Sequence, residues 1–343
     1  MKKFFTLLLA VISTMTAFAQ TEPAIELQAE VDGNTRTFTI GLATEGTVQI
    51  DWGNGEKVTS EVIPAYDGYN QVNVFGTVSG DGKVKIYGDN IVYFECSSRV
   101  DGAQVLSLDV TKATTLKDLT ANTNKLTAID LTKNTELEKL TINNNQLTSI
   151  DISKCTKLTT LDITNNLLTA IDITKNQALQ TLRIGQNKLT GDLDLSTNPT
   201  IKSVYALTNE LTSVKIGNNT ASKPYFSFNY NKLTSIDASG INDAKNATLF
   251  LIGNQLTEIK LPATQMKSLN ITKNNFTLAT LPAPSVATFF TYAPQNDYVI
   301  AESYKVGDVL DLSSQTSATL NTQFAVYKSD KNCSDRRHRL HGC

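Results

Sequence analysis

The sequence predicts a mainly β solenoid: a parallel β-sheet horseshoe of short stacked strands, with short turns and 3₁₀ segments on its convex side. A β domain precedes it and a partial β module follows. Three observations predict this. An asparagine recurs at Asn124, Asn145, Asn166, Asn187, Asn209, Asn231, Asn254 and Asn274. An alternating apolar pair precedes each, from Leu119/Ala121 and Leu140/Ile142 to Leu249/Leu251 and Leu269/Ile271. The spacing of 20 to 23 residues leaves room for extended or 3₁₀ turns in each unit, but not for a full α-helix.

The chain opens on an address. Lys2 and Lys3 precede an apolar run from Phe4 to Ile12, and Ala17-Phe18-Ala19 supplies small residues where signal cleavage needs them. Residues 1–19 therefore read as a signal peptide, cleaved before Gln20, and the mature protein is expected to be secreted or at the cell surface. The run is too short for a membrane span, and Ser13, Thr14 and Thr16 interrupt it.

Residues 20–90 lack the repeat. Alternation predicts strands over Thr35–Leu42 and Thr47–Asp51, with Gly53-Asn54-Gly55 turning into Lys57-Val58. Gly80-Asp81-Gly82 predicts a hairpin turn into a strand over Lys83–Tyr87. A solenoid end exposes an apolar cross-section that must be covered, so this β domain is assigned as the N-terminal cap.

Residues 91–284 form the repeat domain. The unit reads L-x-x-L-x-I-x-x-N-x-L-T-x-I-D-I, as in Leu158–Ile173. Alternation in L-x-I is the period of a strand with one buried face. One such strand cannot bury that face alone, but stacked copies share a continuous apolar core. The Asn amide carries donors and an acceptor, so a stacked column can satisfy buried turn backbone and bond from one Asn to the next. The second pair (Ile150/Ile152, Ile171/Ile173) packs the opposite wall.

This pattern resembles the leucine-rich repeats of bacterial surface proteins. Asn144–Ser153 (NNQLTSIDIS) is most similar to the internalin-J-like repeats of Bacteroidetes and Listeria proteins, and Ile50–Gly55 (IDWGNG) resembles the small β domain that precedes such repeats. Some relatives carry a cysteine ladder just before the Asn; Ala121, Ile142, Ile163 and Ile184 stand there instead. The resemblance implies an exported recognition protein or adhesin.

Pro282 and Pro284 mark a boundary, and residues 285–343 read as a partial β-sandwich-like module with strands over Tyr298–Ala301, Val309–Leu312 and Gln323–Tyr327. Arg336, Arg337, Arg339, His338 and His341 then break the composition, as expected of a truncated domain ending in an atypical tail.

Composition excludes several functions. A net charge of −2 gives no general attraction to nucleic acid or anionic membrane. Histidine is missing from residues 20–332, which removes the commonest general base and metal ligand. Cys333, His338, His341 and Cys343 match no zinc-site spacing. Cys96 and Cys155 fall almost three strands apart, about 13 Å, too far for a disulfide. Ser79–Val84 (SGDGKV) lacks the spacing of a phosphate-binding loop.

The column Asp109, Asp130, Asp151, Asp172, Asp194 and Asp237 could suggest calcium. Lys112, Lys133, Lys154 and Lys175 are placed to offset the first four. Lys215 and Lys260 take the Asp position in two repeats, and Asp caps the Ser/Thr turn that follows. The column reads as structural, and Cys155 as a turn residue in the column of Asn134, Asn176 and Asn198. No enzyme, cofactor or metal is expected.

What remains is the solvent face of the sheet. Its central column reads Thr120, Thr141, Asp162, Arg183, Tyr205, Ser227, Phe250 and Asn270, flanked by columns that include Tyr225 on one side and Leu207 and Ile252 on the other. Its first three repeats are small and polar. From Arg183 on, the face gains Tyr205, Leu207, Tyr225, Phe250 and Ile252, the composition of a protein-binding hot spot or a platform for sugars. The candidate site is these six residues, on a monomer that binds a host protein or glycan. The competing expectation is a structural spacer displaying another module at the cell surface.

Overall fold

The computed structural model describes residues 22–64, 70–98, 104–277, 279–293 and 295–296. The expected signal peptide, the expected strands beyond Tyr298 and the Cys333–Cys343 tail lie outside the described residues.

The N-terminal segment holds β1 (Ile25–Ala29), β2 (Thr35–Leu42), β3 (Gly46–Asp51), β4 (Lys57–Pro64), β5 (Asn70–Thr77), β6 (Lys83–Tyr87), β7 (Ile91–Glu95) and β8 (Val105–Asp109). They pair as two sheets, β8–β1–β6–β3–β4 and β4–β5–β2–β7, with β4 reaching both. Phe38, Ile40, Val48, Ile50, Ile86 and Phe94 are buried in this segment. Phe38 stacks on Trp52 at 5.1 Å and tilts against Phe94 at 5.9 Å. The Trp52 ring lies so close to Gly76 that a Cβ there would sit 2.0 Å from it.

The expected strands are present, but the turn at Gly80–Gly82 is not a hairpin. Gly82 N donates to Ser79 O (3.0 Å), and both glycines take positive φ. The strands it joins belong to different sheets: β5 pairs with β2, β6 with β1 and β3. A turn signal reports a reversal of the chain and says nothing about which strands then pair.

The repeats supply β9 (Asp118–Thr120), β10 (Lys139–Thr141), β11 (Thr160–Asp162), β12 (Thr181–Arg183), β13 (Thr190–Asp194), β14 (Ser203–Tyr205) and β15 (Glu210–Lys215). Then follow β16 (Tyr225–Ser227), β17 (Ser235–Asp237), β18 (Thr248–Phe250), β19 (Met266–Asn270) and β20 (Ala287–Thr291). The parallel concave sheet runs β9–β10–β11–β12–β14–β16–β18–β19–β20, in the register of the repeat, as in Leu140↔Leu161 and Leu161↔Leu182. Leu119, Leu140, Leu161 and Leu182 are wholly buried. The opposite wall is turns, the 3₁₀ segment Ala244–Asn246, and a short parallel sheet β13–β15–β17.

β7 joins the two parts. It pairs antiparallel with β2 (Ile40↔Phe94) and parallel with β9 (Phe94↔Leu119), so the first repeat strand presents no free edge. At the other end the sheet runs past residue 284 into β20, in register with β19. There Gln295 stands 21 residues after Asn274 and plays the ladder role: its Nε2 donates to Ile271 O (3.1 Å), and its Oε1 accepts from Phe276 N.

The asparagine ladder holds the turns together. Asn145 Nδ2 donates to Ala121 O (2.9 Å) and Ile142 O (3.2 Å), while its Oδ1 accepts from Leu126 N (3.0 Å). Asn166, Asn187, Asn209, Asn231, Asn254 and Asn274 repeat this. The expected bond from one Asn to the next does not form among the described residues. Each amide is fully engaged by backbone of its own and the preceding repeat. The residue before each Asn turns into the left-handed region, with φ near 55° at Thr123, Asn144, Asn165, Gln186, Thr208, Tyr230 and Lys273.

A second column on the far wall works likewise. Asn134 Nδ2 donates to Val110 O and Ala113 O, and Asn176 Nδ2 to Ile152 O and Cys155 O. Cys155 takes the Asn position in between, buried, with Sγ 3.8 Å from Leu131 O.

Candidate binding surface

The concave sheet offers its outward columns to solvent, and its two halves differ. In the first, β7 brings Tyr93 and Glu95 into register with Asp118 and Thr120. Tyr93 Oη donates to Glu95 Oε2 (2.8 Å). Asp118 lies 3.6 Å from Lys139 and Lys117 lies 3.3 Å from Glu138. Burial pushes the Asp118 carboxyl above its ordinary range, against the pull of Lys139.

In the second half, four of the six predicted residues form one continuous run. The Arg183 guanidinium lies 5.0 Å from the Tyr205 ring centroid. Tyr205 and Tyr225 lie 5.2 Å apart, tilted by 31°, and Phe250 meets Tyr225 edge-on at 5.6 Å. Arg183 is exposed and the three rings are half-buried, so each keeps an outward surface. Burial raises the Tyr225 hydroxyl above its usual range. The other two, Leu207 and Ile252, stand in the next column on either side of Asn229, whose Oδ1 accepts from Ile252 N (2.8 Å). Leu207 leans over Gly185, where a Cβ would meet its side chain at 3.3 Å.

Sequence reasoning missed two aromatic residues here. Phe289 pairs with Ser268 in the column of Tyr225 and is 63% exposed. Its signal was the 21-residue step from Ser268, obscured by the prolines between. Tyr230 is 52% exposed, and its ring packs against Gly253, where a Cβ would come within 2.7 Å.

Elsewhere the polar columns are occupied by the backbone. Asp109 accepts from both the amide (2.8 Å) and hydroxyl (2.6 Å) of Thr111, and Asp130 and Asp172 do the same with Thr132 and Thr174. These bonds, with the one Asp151 accepts from Ser153 N (2.9 Å), hold Asp130, Asp151 and Asp172 below the usual carboxylate range. Lys133, Lys154 and Lys175 offset Asp130, Asp151 and Asp172 through space as expected but close to no ion pair among the described residues, and Lys112 bonds to Glu22 at 2.8 Å. Instead Lys215 lies 3.7 Å from Asp194 and Lys260 3.8 Å from Asp237, each pairing with the Asp one repeat earlier.

Among the described residues no three His, Cys, Asp or Glu side chains converge as metal ligands. Cys96 and Cys155 are free and buried, their thiols pushed up to about 12 and about 11 by desolvation. No described helix is long and apolar enough to cross a membrane.

Residues 135–175 match the family described as Leucine Rich repeats (2 copies). No curated protein matches the sequence. Among solved structures the chain is similar to the functional domain of InlJ from Listeria monocytogenes, which includes a cysteine ladder (20% identity, 66% of this chain, 66% of that chain, TM-score 0.33). It is also similar to YopM, a leucine-rich effector protein from Yersinia pestis (20% identity, 51% and 54% covered, TM-score 0.39). A third is a leucine-rich-repeat protein of Leptospira interrogans (20% identity, 49% and 52% covered, TM-score 0.36). The chain spans between about half and two thirds of the length of these structures. It is a mainly β solenoid that carries leucine-rich repeats.

Proposed function

We propose that this is an exported, non-catalytic recognition protein, secreted or displayed at the cell surface, that binds a host protein through the second half of its concave sheet, Arg183 through Ile252. One observation carries the reading: the unbroken run Arg183–Tyr205–Tyr225–Phe250 on a face that elsewhere presents mainly small polar or charge-paired side chains. Half-buried aromatics beside an Arg are the anchors on which interface energy concentrates, because they give large contact area for little lost rotamer freedom.

Protein is favoured over glycan by the angles between the rings. Tyr205 and Tyr225 are tilted, Phe250 meets Tyr225 nearly at right angles, and Arg183 covers part of Tyr205. Successive sugars stack best on rings that lie flat, and this cluster offers a faceted surface instead. A pure spacer needs no such cluster.

The test is an array of extracellular proteins and glycans probed with the full chain and with a Tyr205→Ala/Tyr225→Ala/Phe250→Ala variant. Binding of a protein spot that the variant loses, with its circular dichroism unchanged, supports the reading. Binding that survives all three substitutions contradicts it.

A further inference from the structure

The aromatic run is set among cations that form no ion pairs among the described residues. The concave strands β12, β14, β16, β18, β19 and β20 carry Arg183 and Lys267 and no Asp or Glu, and Lys202, Lys223 and Lys273 stand near their ends; on β11, Asp162 is the register partner of Arg183. None of these five makes an ion pair among the described residues, and all five are exposed. In the first half of the same sheet Lys117 and Lys139 are each matched by a carboxylate.

Two of these cations also line an open recess. A pocket of about 340 Å³ opens at the rim beside the rings, lined by Lys223, Pro224, Tyr225, Asn246, Thr248 and Lys267. The adjoining carboxylate, Asp243, is already engaged: its oxygens accept from Lys223 N (2.9 Å) and Asn246 Nδ2 (2.8 Å), which hold its carboxyl below the usual range. Its charge still acts on Lys223 through space, but neither Lys223 nor Lys267 closes to an ion pair among the described residues. The pocket joins two cations to one face of an aromatic cluster, so its complement is an anion attached to something apolar.

We infer that this half of the concave sheet receives an acidic polypeptide segment of its partner, with a carboxylate side chain seated between Lys223 and Lys267 and neighbouring apolar or aromatic side chains laid across Tyr205, Tyr225 and Phe250. This rests on the recognition reading above and adds the chemistry of the partner. Charge complementarity carries it: cations outnumber carboxylates around the rings, and a neutral or basic ligand would gain nothing from them or from the recess. The spacing fits as well. The run from β12 to β18 crosses three inter-strand gaps, about 14 Å, which an extended segment covers in about four residues. Alternate side chains of such a segment point to opposite sides, so acidic and apolar residues can each find their own surface.

The test uses the full chain and fluorescence anisotropy of a labelled synthetic peptide of alternating Glu and Tyr, beside matched Gln–Tyr and Lys–Tyr peptides and an oligomer of polysialic acid. The expected result is tightest binding of the Glu–Tyr peptide. It should weaken about tenfold in a Lys223→Ala/Lys267→Ala variant. It should also weaken as ionic strength rises from about 0.1 M to about 1 M, which shortens the Debye length from about 10 Å to about 3 Å. A Lys133→Ala/Lys154→Ala variant removes the same charge from the far wall and should bind as the unaltered chain does; an equal loss there would overturn the proposal. Failure of the Glu–Tyr peptide to bind, or preferential binding of polysialic acid, overturns it too. Equal affinity for Gln–Tyr, abolished by substituting Tyr205, Tyr225 and Phe250, overturns the anion pocket alone and leaves the recognition face standing.

Discussion

From β7 to β11 the concave sheet presents Tyr93, Glu95, Asp118, Thr120, Lys139, Thr141 and Asp162, with Tyr93 bonded to Glu95 and Lys139 paired with Asp118. From β12 to β20 it presents Arg183, Tyr205, Tyr225, Phe250 and Phe289, three of them in ring contact, beside lysines that close to no ion pair among the described residues. The backbone beneath the two halves is the same. The ladder bonds of Asn145 and Asn166 are those of Asn209 and Asn231, within a few tenths of an ångström. The fold therefore places no demand on the outward columns, and a difference confined to them is where function can reside.

Four substitution experiments sharpen or break this contrast. Largest is the loss of partner binding when Tyr205, Tyr225 and Phe250 are replaced together by Ala, about 4 kcal/mol or roughly a thousandfold, read by surface plasmon resonance. Thr120→Ala/Thr141→Ala, the first-half counterpart, should change affinity by less than about twofold. Next come the ladder substitutions Asn166→Ala and Asn231→Ala. Each strands a buried amide, Leu147 N and Leu211 N respectively, and carbonyls of two repeats, and should cost about 3 kcal/mol in chemical denaturation. Equal costs in the two halves are the expected outcome; a large disparity would mean the backbones are not equivalent.

Smaller effects distinguish the halves by charge and strain. Asp118 is harder to ionise in the folded chain than in the unfolded one, because burial raises its pKa above 3.8. The folded state thus holds its proton more tightly, and this stabilising contribution is complete below the ordinary carboxyl pKa and lost as pH rises through the folded value. Asp118→Asn should therefore gain stability relative to the unaltered chain as pH rises to neutral, read by chemical denaturation across the titration. That advantage should vanish as pH falls through the same window. A constant difference across the titration would refute the assignment. Least of all, Thr123→Asn and Thr208→Asn relieve a β-branched residue held at φ 56° and should each add about 0.5 kcal/mol, seen as a small rise in Tm.

Much of this was legible in the sequence because each repeat states its structure several times over. Leu161 and Ile163 alternate, Asn166 follows at a fixed step, and Leu168 closes the turn, so strand, turn and core are specified together. Four of the six predicted face residues meet in one run for the same reason: once register is known, the outward columns follow. What was missed lay where the pattern loosens. Gln295 does the work of Asn with one more methylene, and Pro282 and Pro284 looked like a domain boundary, so the strand bearing Phe289 was assigned to another module. The ion pairs of Asp194 and Asp237 were hidden because Lys215 and Lys260 act one repeat away, through stacking that no sequence-local rule describes. The pocket at Lys223 and Lys267 joins residues two repeats apart at the rim, outside the columns that alternation reveals.

The central claim, that recognition belongs to the second half of the concave sheet, is tested most directly by hydrogen-exchange mass spectrometry of the full chain with and without a partner captured from the extracellular-protein array. The account predicts slowed exchange confined to peptides covering residues 180–186, 202–208, 223–230 and 246–253. Protection centred instead on residues 93–97, 118–123 and 139–144, or on the convex wall, would contradict it.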